Sequence, residues 1–251
     1  MAWNPKSTDS QDWDERGLRE ADDVDAGAWL LEGFGKFGSG VAALIRRIFP
    51  SYARIFHPAR SIDDEPVTWS AVARANGRIA HPAMEWGSIV GSWQASEQEG
   101  VWHDSPMQGS LPVGTTRALA DTLRRFTQAP AQCWFGHWEG SGYIDVPSNE
   151  LRLPMPSRNM VLFAGGIDLA DTQFGASARF PFGMSAHLWW PDDQAWCVAT
   201  DIDLMTTYVG ASTSCIDALL TNAELEALPV PVTQRLTWDT DTVNPLPLAR
   251  R

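Results

Sequence analysis

Two apolar runs, Ala186-His187-Leu188-Trp189-Trp190 and Ala195-Trp196-Cys197-Val198-Ala199-Thr200-Asp201-Ile202, flank the tetrapeptide Pro191-Asp192-Asp193-Gln194. Proline pre-sets its own φ and aspartate bonds to the backbone two residues on, so the tetrapeptide reads as a turn and the whole as a β-hairpin. A four-residue loop sets Trp190 opposite Ala195, Trp189 opposite Trp196 and His187 opposite Val198. Period-2 alternation then puts His187, Trp189, Trp196, Val198, Thr200 and Ile202 on one face, and Leu188, Trp190, Cys197, Ala199 and Asp201 on the other. The first set is the expected core face.

Before the hairpin the period changes from helical to alternating. Val41, Leu44, Ile45 and Ile48 lie at helical spacing ahead of Pro50 and predict a helix with a buried stripe. Thr68 is placed to cap a helix running to about Ala75, with Asn76-Gly77 as its left-handed stop, and a second short helix follows Pro82. Residues 105–114 read as a loop, and Thr115 or Thr116 opens a helix with Leu119, Leu123 and Phe126 on one side. Gln132 to Trp138 reads as a strand, Glu139-Gly140-Ser141-Gly142 as its turn, Tyr143-Ile144 as the returning strand and Asn159 to Ala164 as another. After the hairpin, Ser212 or Ser214 caps a helix, and Asn222 opens a short one that Pro229 ends. The order predicts an α+β fold, an antiparallel sheet with helices packed around it, in a single domain over residues 33–230. Residues 1–32 read as an acidic, mobile N-terminal arm whose Trp3 and Trp13 can dock on the domain, and 231–251 as an extended C-terminal tail.

With 44% hydrophobic residues against 20% charged, the chain has ample material for a core, which excludes disorder throughout. Each of its 13 tryptophans carries an apolar body with one N–H that needs a partner when buried, so the core or a groove must have aromatic walls. The start Met1-Ala2-Trp3-Asn4-Pro5-Lys6 lacks a basic leader and an apolar run, and no segment has the length of a membrane span, so the protein is expected to be cytoplasmic, without a membrane partner. Cys133, Cys197 and Cys215 are odd in number and form no C-x-x-C, which fits buried free thiols better than disulfides or a zinc ribbon.

The net charge of −12 is unevenly spread. Residues 33–62 hold five bases and no acid, while 180–249 hold nine acids and a single base, Arg235. That excess repels nucleic-acid phosphates and suits a basic protein partner. Attraction between the basic segment from Lys36 to Arg60 and the acidic half from Phe180 onward is a further expectation. The Ala73 to Gly77 spacing is that of a helix-turn-helix, but its second helix would carry Met84, Glu85 and Trp86 with no arginine, so no nucleic acid is expected to bind there.

Among candidates for chemistry, Asp201-Ile202-Asp203 comes first, because alternate residues of a strand share a face and two carboxylates there can hold Mg²⁺ or Mn²⁺. Neither Gly183-Met184-Ser185 nor Gly210-Ala211-Ser212 matches a phosphate loop. The five histidines show no H-x-x-x-H or H-E-x-x-H, and Cys133 and His137 stand about 13 Å apart along a strand, too far for a nucleophile and base. His103-Asp104 lies in a glycine- and proline-rich loop and reads as solvated. Trp134, Trp138 and the tryptophans around Trp190 could wall a groove, and Asp192, Asp193 and Asp201 could face a partner.

Three stretches, Phe49-Pro50-Ser51-Tyr52-Ala53-Arg54-Ile55-Phe56-His57-Pro58, Cys133-Trp134-Phe135-Gly136-His137-Trp138-Glu139-Gly140 and Trp189-Trp190-Pro191-Asp192 through Asp203, resemble a mostly actinobacterial protein family with no assigned activity. The resemblance spans roughly residues 40–230. It implies a single domain and carries no catalytic residues over. The sequence therefore points first to a non-enzymatic, immunity-like or regulatory interaction protein with an acidic partner-binding surface and no cofactor. The alternatives are a metal-dependent transferase or hydrolase using Asp201 and Asp203, and a small-molecule or sugar binder with an aromatic groove.

Overall fold

A computed structural model describes residues 12–32, 40–144, 151–156, 158–179 and 181–247. The strands are β1 (Arg19–Glu20), β2 (Ser51–Phe56), β3 (Ala59–Arg60), β4 (Pro66–Val67), β5 (Cys133–Trp138), β6 (Met160–Gly165), β7 (Leu188–Pro191), β8 (Trp196–Thr200), β9 (Thr206–Ala211) and β10 (Ala227–Pro229). The helices are α1 (Asp12–Glu15), α2 (Trp69–Ala75), α3 (Trp86–Val90), α4 (Val113–Leu123) and α5 (Thr213–Leu220). Eight strands form one antiparallel sheet in the order β1-β6-β5-β7-β8-β9-β2-β10, and helices pack around it, so the fold is α+β.

The hairpin of β7 and β8 sits near the middle of this sheet, with a register two residues from the expected one. Leu188 pairs with Ala199 and Trp189 with Val198. The cause lies in β5: Pro191 pairs with Cys133, and Asp192 N–H donates to the Gln132 carbonyl, so β7 runs through the proline and the turn moves one residue on. Gln194, at φ 55°, takes the left-handed turn position. A two-residue shift preserves face parity. Trp189, Trp196 and Val198 therefore still share a face, and the two indoles touch at 5.2 Å and 79°.

The expectation of one core face is corrected, because both faces are buried. Helices α4 and α5 cover the face of Trp189 and Trp196. Leu30, Val41, Ile45, Leu153, Met155 and Val230 cover the face of Leu188, Trp190, Cys197 and Ala199, where Trp190 is only 1% exposed. A third cluster, Phe56, Ala59, Trp69, Met84, Trp86 and Trp102, joins α2 and α3 to the end of β2.

Thr68 caps α2 by accepting the Ala71 N–H, and Gly77 follows at φ 62°, as expected. The strands at Cys133 and Met160 also stand where alternation placed them. Three local expectations fail. The helix over 41–49 is instead a single 3₁₀ turn, Val41–Ala43, whose amides bond to the Gln234 and Val232 carbonyls of the tail. Nine residues between Gly40 and Pro50 are too few to nucleate a helix without tertiary support. Tyr143-Ile144 form no returning strand, since β5 pairs with β6 and β7. After Asn222 the chain enters β10 rather than a helix. Within the segment read as an arm, β1 joins the sheet edge beside β6, Leu18 and Leu30 are buried, and Trp13 meets Phe163 at 5.0 Å. Trp3 and residues 33–39, Lys36 among them, lie outside the described residues. The three cysteines are free and buried, and burial pushes the thiols up, Cys133 and Cys215 to about 12.

Candidate functional site

The Asp201-Ile202-Asp203 turn connects β8 to β9 and is braced internally, as the Asp203 N–H donates to Asp201 Oδ1 at 2.9 Å. Arg158 spans both carboxylates, with Nε 3.0 Å from Asp201 and Nη2 2.8 Å from Asp203. Its guanidinium lies 4.9 Å from the Trp138 ring centre, a cation–π contact. The seat that the sequence offers to Mg²⁺ or Mn²⁺ therefore has an arginine against it. Among the described residues no group of three or more His, Cys, Asp or Glu is arranged to hold a metal.

The other sequence-derived candidates lie along β5, β7 and the turn that follows β7. Trp134 donates its indole N–H to Asp192 at 3.1 Å. Asp193 accepts from the Thr127 hydroxyl and the Gln128 and Ala195 amides, closing the hairpin turn onto the end of α4's following loop. Trp190 is in the core, edge-on to Trp29 at 6.1 Å. Trp138 and Asp201 meet through Arg158, while Trp134 meets Asp192 and pairs across the strands with Trp190, and the three tryptophans belong to one packed cluster. In the basic segment, Arg46, Arg54 and Arg60 pair with Glu32, Glu85 and Asp64.

A buried row of polar side chains runs across the sheet at the level of this turn: His137, His187, Thr200, Thr207 and His57. Its hydrogen bonds fix the tautomers. A carbonyl only accepts, so His57 Nδ1–H donates to Met107 O at 2.6 Å, and its bare Nε2 accepts from Thr207 Oγ1 at 2.9 Å. Thr207 in turn accepts from Thr200 at 2.7 Å. His187 Nδ1 accepts the Trp138 N–H, so the neutral ring carries its proton on Nε2, which has no partner among the described residues. Burial pushes His57 down to about 4 and, aided by Arg158, His187 to about 3. Burial and the neighbouring His187 hold His137 well below its ordinary value. All three are neutral at pH 7. A cavity of about 40 Å³ beside His187 is lined also by Arg158, Asp201, Met155 and Leu188, room for one or two waters.

On the other side of the turn Asp203 lines a larger cleft of about 300 Å³, with Arg54, Trp69, Glu85, Trp86, Trp93 and Trp238. Arg54 projects from β2 beneath it, almost fully buried, and donates to the Pro82 and Met84 carbonyls and to Glu85 Oε1 at 3.0 Å. Burial raises the Glu85 carboxyl above its ordinary value despite the attraction of Arg54. At the mouth, Trp93 and Trp238 meet at 5.7 Å and 86°, and are 45% and 64% exposed. Trp238 is carried by the tail, which is anchored by Asp241. That carboxylate accepts from His81 Nε2 at 2.9 Å and from the amides of Glu85, Val243 and Asn244.

Comparison with protein-family models, with curated proteins and with solved structures finds no match. The cleft was missed in the sequence because its walls come from segments far apart. One local signal was present: Trp93 and Trp238 sit in polar, aperiodic stretches, where a tryptophan has no periodic core face to join. No helix among the described residues is long and apolar enough to cross a membrane.

Proposed function

We propose that this chain is a non-enzymatic binding protein whose aromatic cleft beside α3 receives a small amphipathic molecule. The observation that carries it is the exposed pair Trp93 and Trp238 at the mouth of a cleft floored by buried Arg54 and its half-buried partner Glu85. Each indole forgoes burial worth roughly 25 cal/mol per Å² of apolar surface, which a ligand would recover. Ligand pockets combine such apolar walls with a few convergent polar groups. The two carboxylates lining the cleft, Glu85 and Asp203, each face a guanidinium, Arg54 and Arg158, which favours binding over acid–base chemistry. The test is tryptophan fluorescence during titration with a small-molecule panel. The reading expects a saturable response that Trp93→Ala or Trp238→Ala removes, and a response indifferent to both substitutions refutes it.

An acidic surface for a basic protein partner is the second reading, favoured by the net charge of −12. Its named carboxylates are engaged within the molecule, Asp192 by Trp134, Asp193 by the Thr127–Gln128 turn and Asp201 by Arg158. Pull-down from the native cell tests it, and a partner whose retention survives high salt counts against an electrostatic surface.

A further inference from the structure

The cleft's charge and ring geometry narrow what it can hold. A cation would share the cleft with Arg54, whose guanidinium already stands 5.7 Å from the ring of Trp69, one of the indoles of its lining. A second cation at that face would meet a like charge. An anion would need free guanidinium donors. Arg54 donates from Nη1 to the Pro82 and Met84 carbonyls and from Nη2 to Glu85, its buried Nε has no partner among the described residues, and the carboxylates of Glu85 and Asp203 repel negative charge. A flat heteroaromatic ligand stacks best in a parallel slot, and the exposed tryptophans stand at 86° to each other.

A puckered, uncharged ring satisfies all three constraints. Its C–H face packs on one indole while its edge meets the other, and its hydroxyls have acceptors and donors within the lining: the Glu85 carboxylate, Ser92, Ser105 and Thr206. We infer that the ligand of the cleft between α3 and the tail is a neutral saccharide of one or two rings, stacked on Trp93 and Trp238 with its hydroxyls on Glu85. The inference rests on the cleft reading above. A cavity of about 300 Å³ stands at the small end of ligand pockets, which fits that size. A neutral ligand gains little from long-range Coulomb attraction, so its binding is insensitive to salt.

The experiment titrates the full chain with methyl glycosides of glucose, galactose and mannose and with α- and β-linked glucose disaccharides. Tetramethylammonium chloride and sodium phosphate are added in parallel arms. Binding is read by tryptophan fluorescence and calorimetry at low and high NaCl. The expected result is saturable binding of at least one saccharide, unchanged by salt and weakened about tenfold or more by Trp238→Ala and by Glu85→Gln, equivalent to about 1.4 kcal/mol. Trp93→Phe, which keeps a ring at the mouth, should weaken it less, and serves where Glu85→Gln disturbs folding. Binding of tetramethylammonium or phosphate that depends on Trp238, with no saccharide bound, overturns the ligand class and leaves the cleft reading standing. No Trp238-dependent response to any arm overturns both.

Discussion

Two tryptophan pairs in this protein have nearly the same geometry and opposite surroundings. Trp189 and Trp196 meet edge to face at 5.2 Å and 79°, and Trp93 and Trp238 at 5.7 Å and 86°. The first pair is closed off by α4 and α5, and Trp196 donates its indole N–H to the Leu123 carbonyl at 3.2 Å. The second pair stands largely in water at the mouth of a cleft. An edge-to-face pair adds only about 0.5–1.5 kcal/mol beyond area burial, so the contact itself does not distinguish them. What surrounds each pair decides whether it holds the fold together or presents a surface.

The largest effect expected from that contrast is on the buried pair. Trp196→Ala should lower stability by about 3–5 kcal/mol in urea melts, as a large-to-small change in a closed core. Trp190→Ala should cost a similar amount, since the opposite face is equally covered. A loss below about 1 kcal/mol for Trp190 would mean that the second layer is not packed as described.

Acid should act next, and on the core rather than the cleft. The unfolded chain binds protons on His57 and His187 near pH 6.5, whereas the folded chain binds them only near 4 and 3. Through that window the unfolded state holds more protons, so stability falls as pH drops. Between pH 7.5 and 5.0 the loss should be roughly 2 kcal/mol per histidine. Melts that superimpose at the two pH values would show that these rings are not buried neutral.

Removing the tail's anchor should have a middling effect with a local signature. Asp241→Ala leaves His81 and three amides without their acceptor, at a cost of about 1–3 kcal/mol. Because the tail carries Trp238, hydrogen exchange should rise first in residues 231–247. Uniform acceleration across the sheet would place the anchor in the global core instead. The smallest effect belongs to the exposed pair. Trp238→Ala should change stability by no more than about 0.5 kcal/mol while altering the fluorescence and any ligand response. A loss comparable to that of Trp196→Ala would erase the distinction between the two pairs.

Much of the fold was legible because it is written locally. Thr68 and Asn76-Gly77 bound α2 through capping and a left-handed stop, which need only neighbouring residues. Alternation placed β5 and β6 within a residue. The central strands β2 and β9 went unread although Tyr52, Ile55, Tyr208 and Val209 have the right residue types. Arg54 interrupts the first, and its burial depends on Glu85 and the carbonyls around it. The apolar spacing of Val41 and Ile45 was real and both are buried, yet the tail's carbonyls rather than a helix satisfy the backbone there.

The sequence by itself determined the antiparallel hairpin, the division of its residues between two faces and the caps of the short helices, because periodicity and capping act over a few residues. Only the tertiary structure decided that both faces are covered, that Pro191 pairs with β5 and so shifts the register, and that Arg158 spans the Asp201 and Asp203 carboxylates. It alone brought Trp238 beside Trp93 over the Arg54–Glu85 pair. These outcomes depend on partners tens to more than a hundred residues away, and such contacts are selected by the packing of the whole sheet and leave no mark in the local pattern.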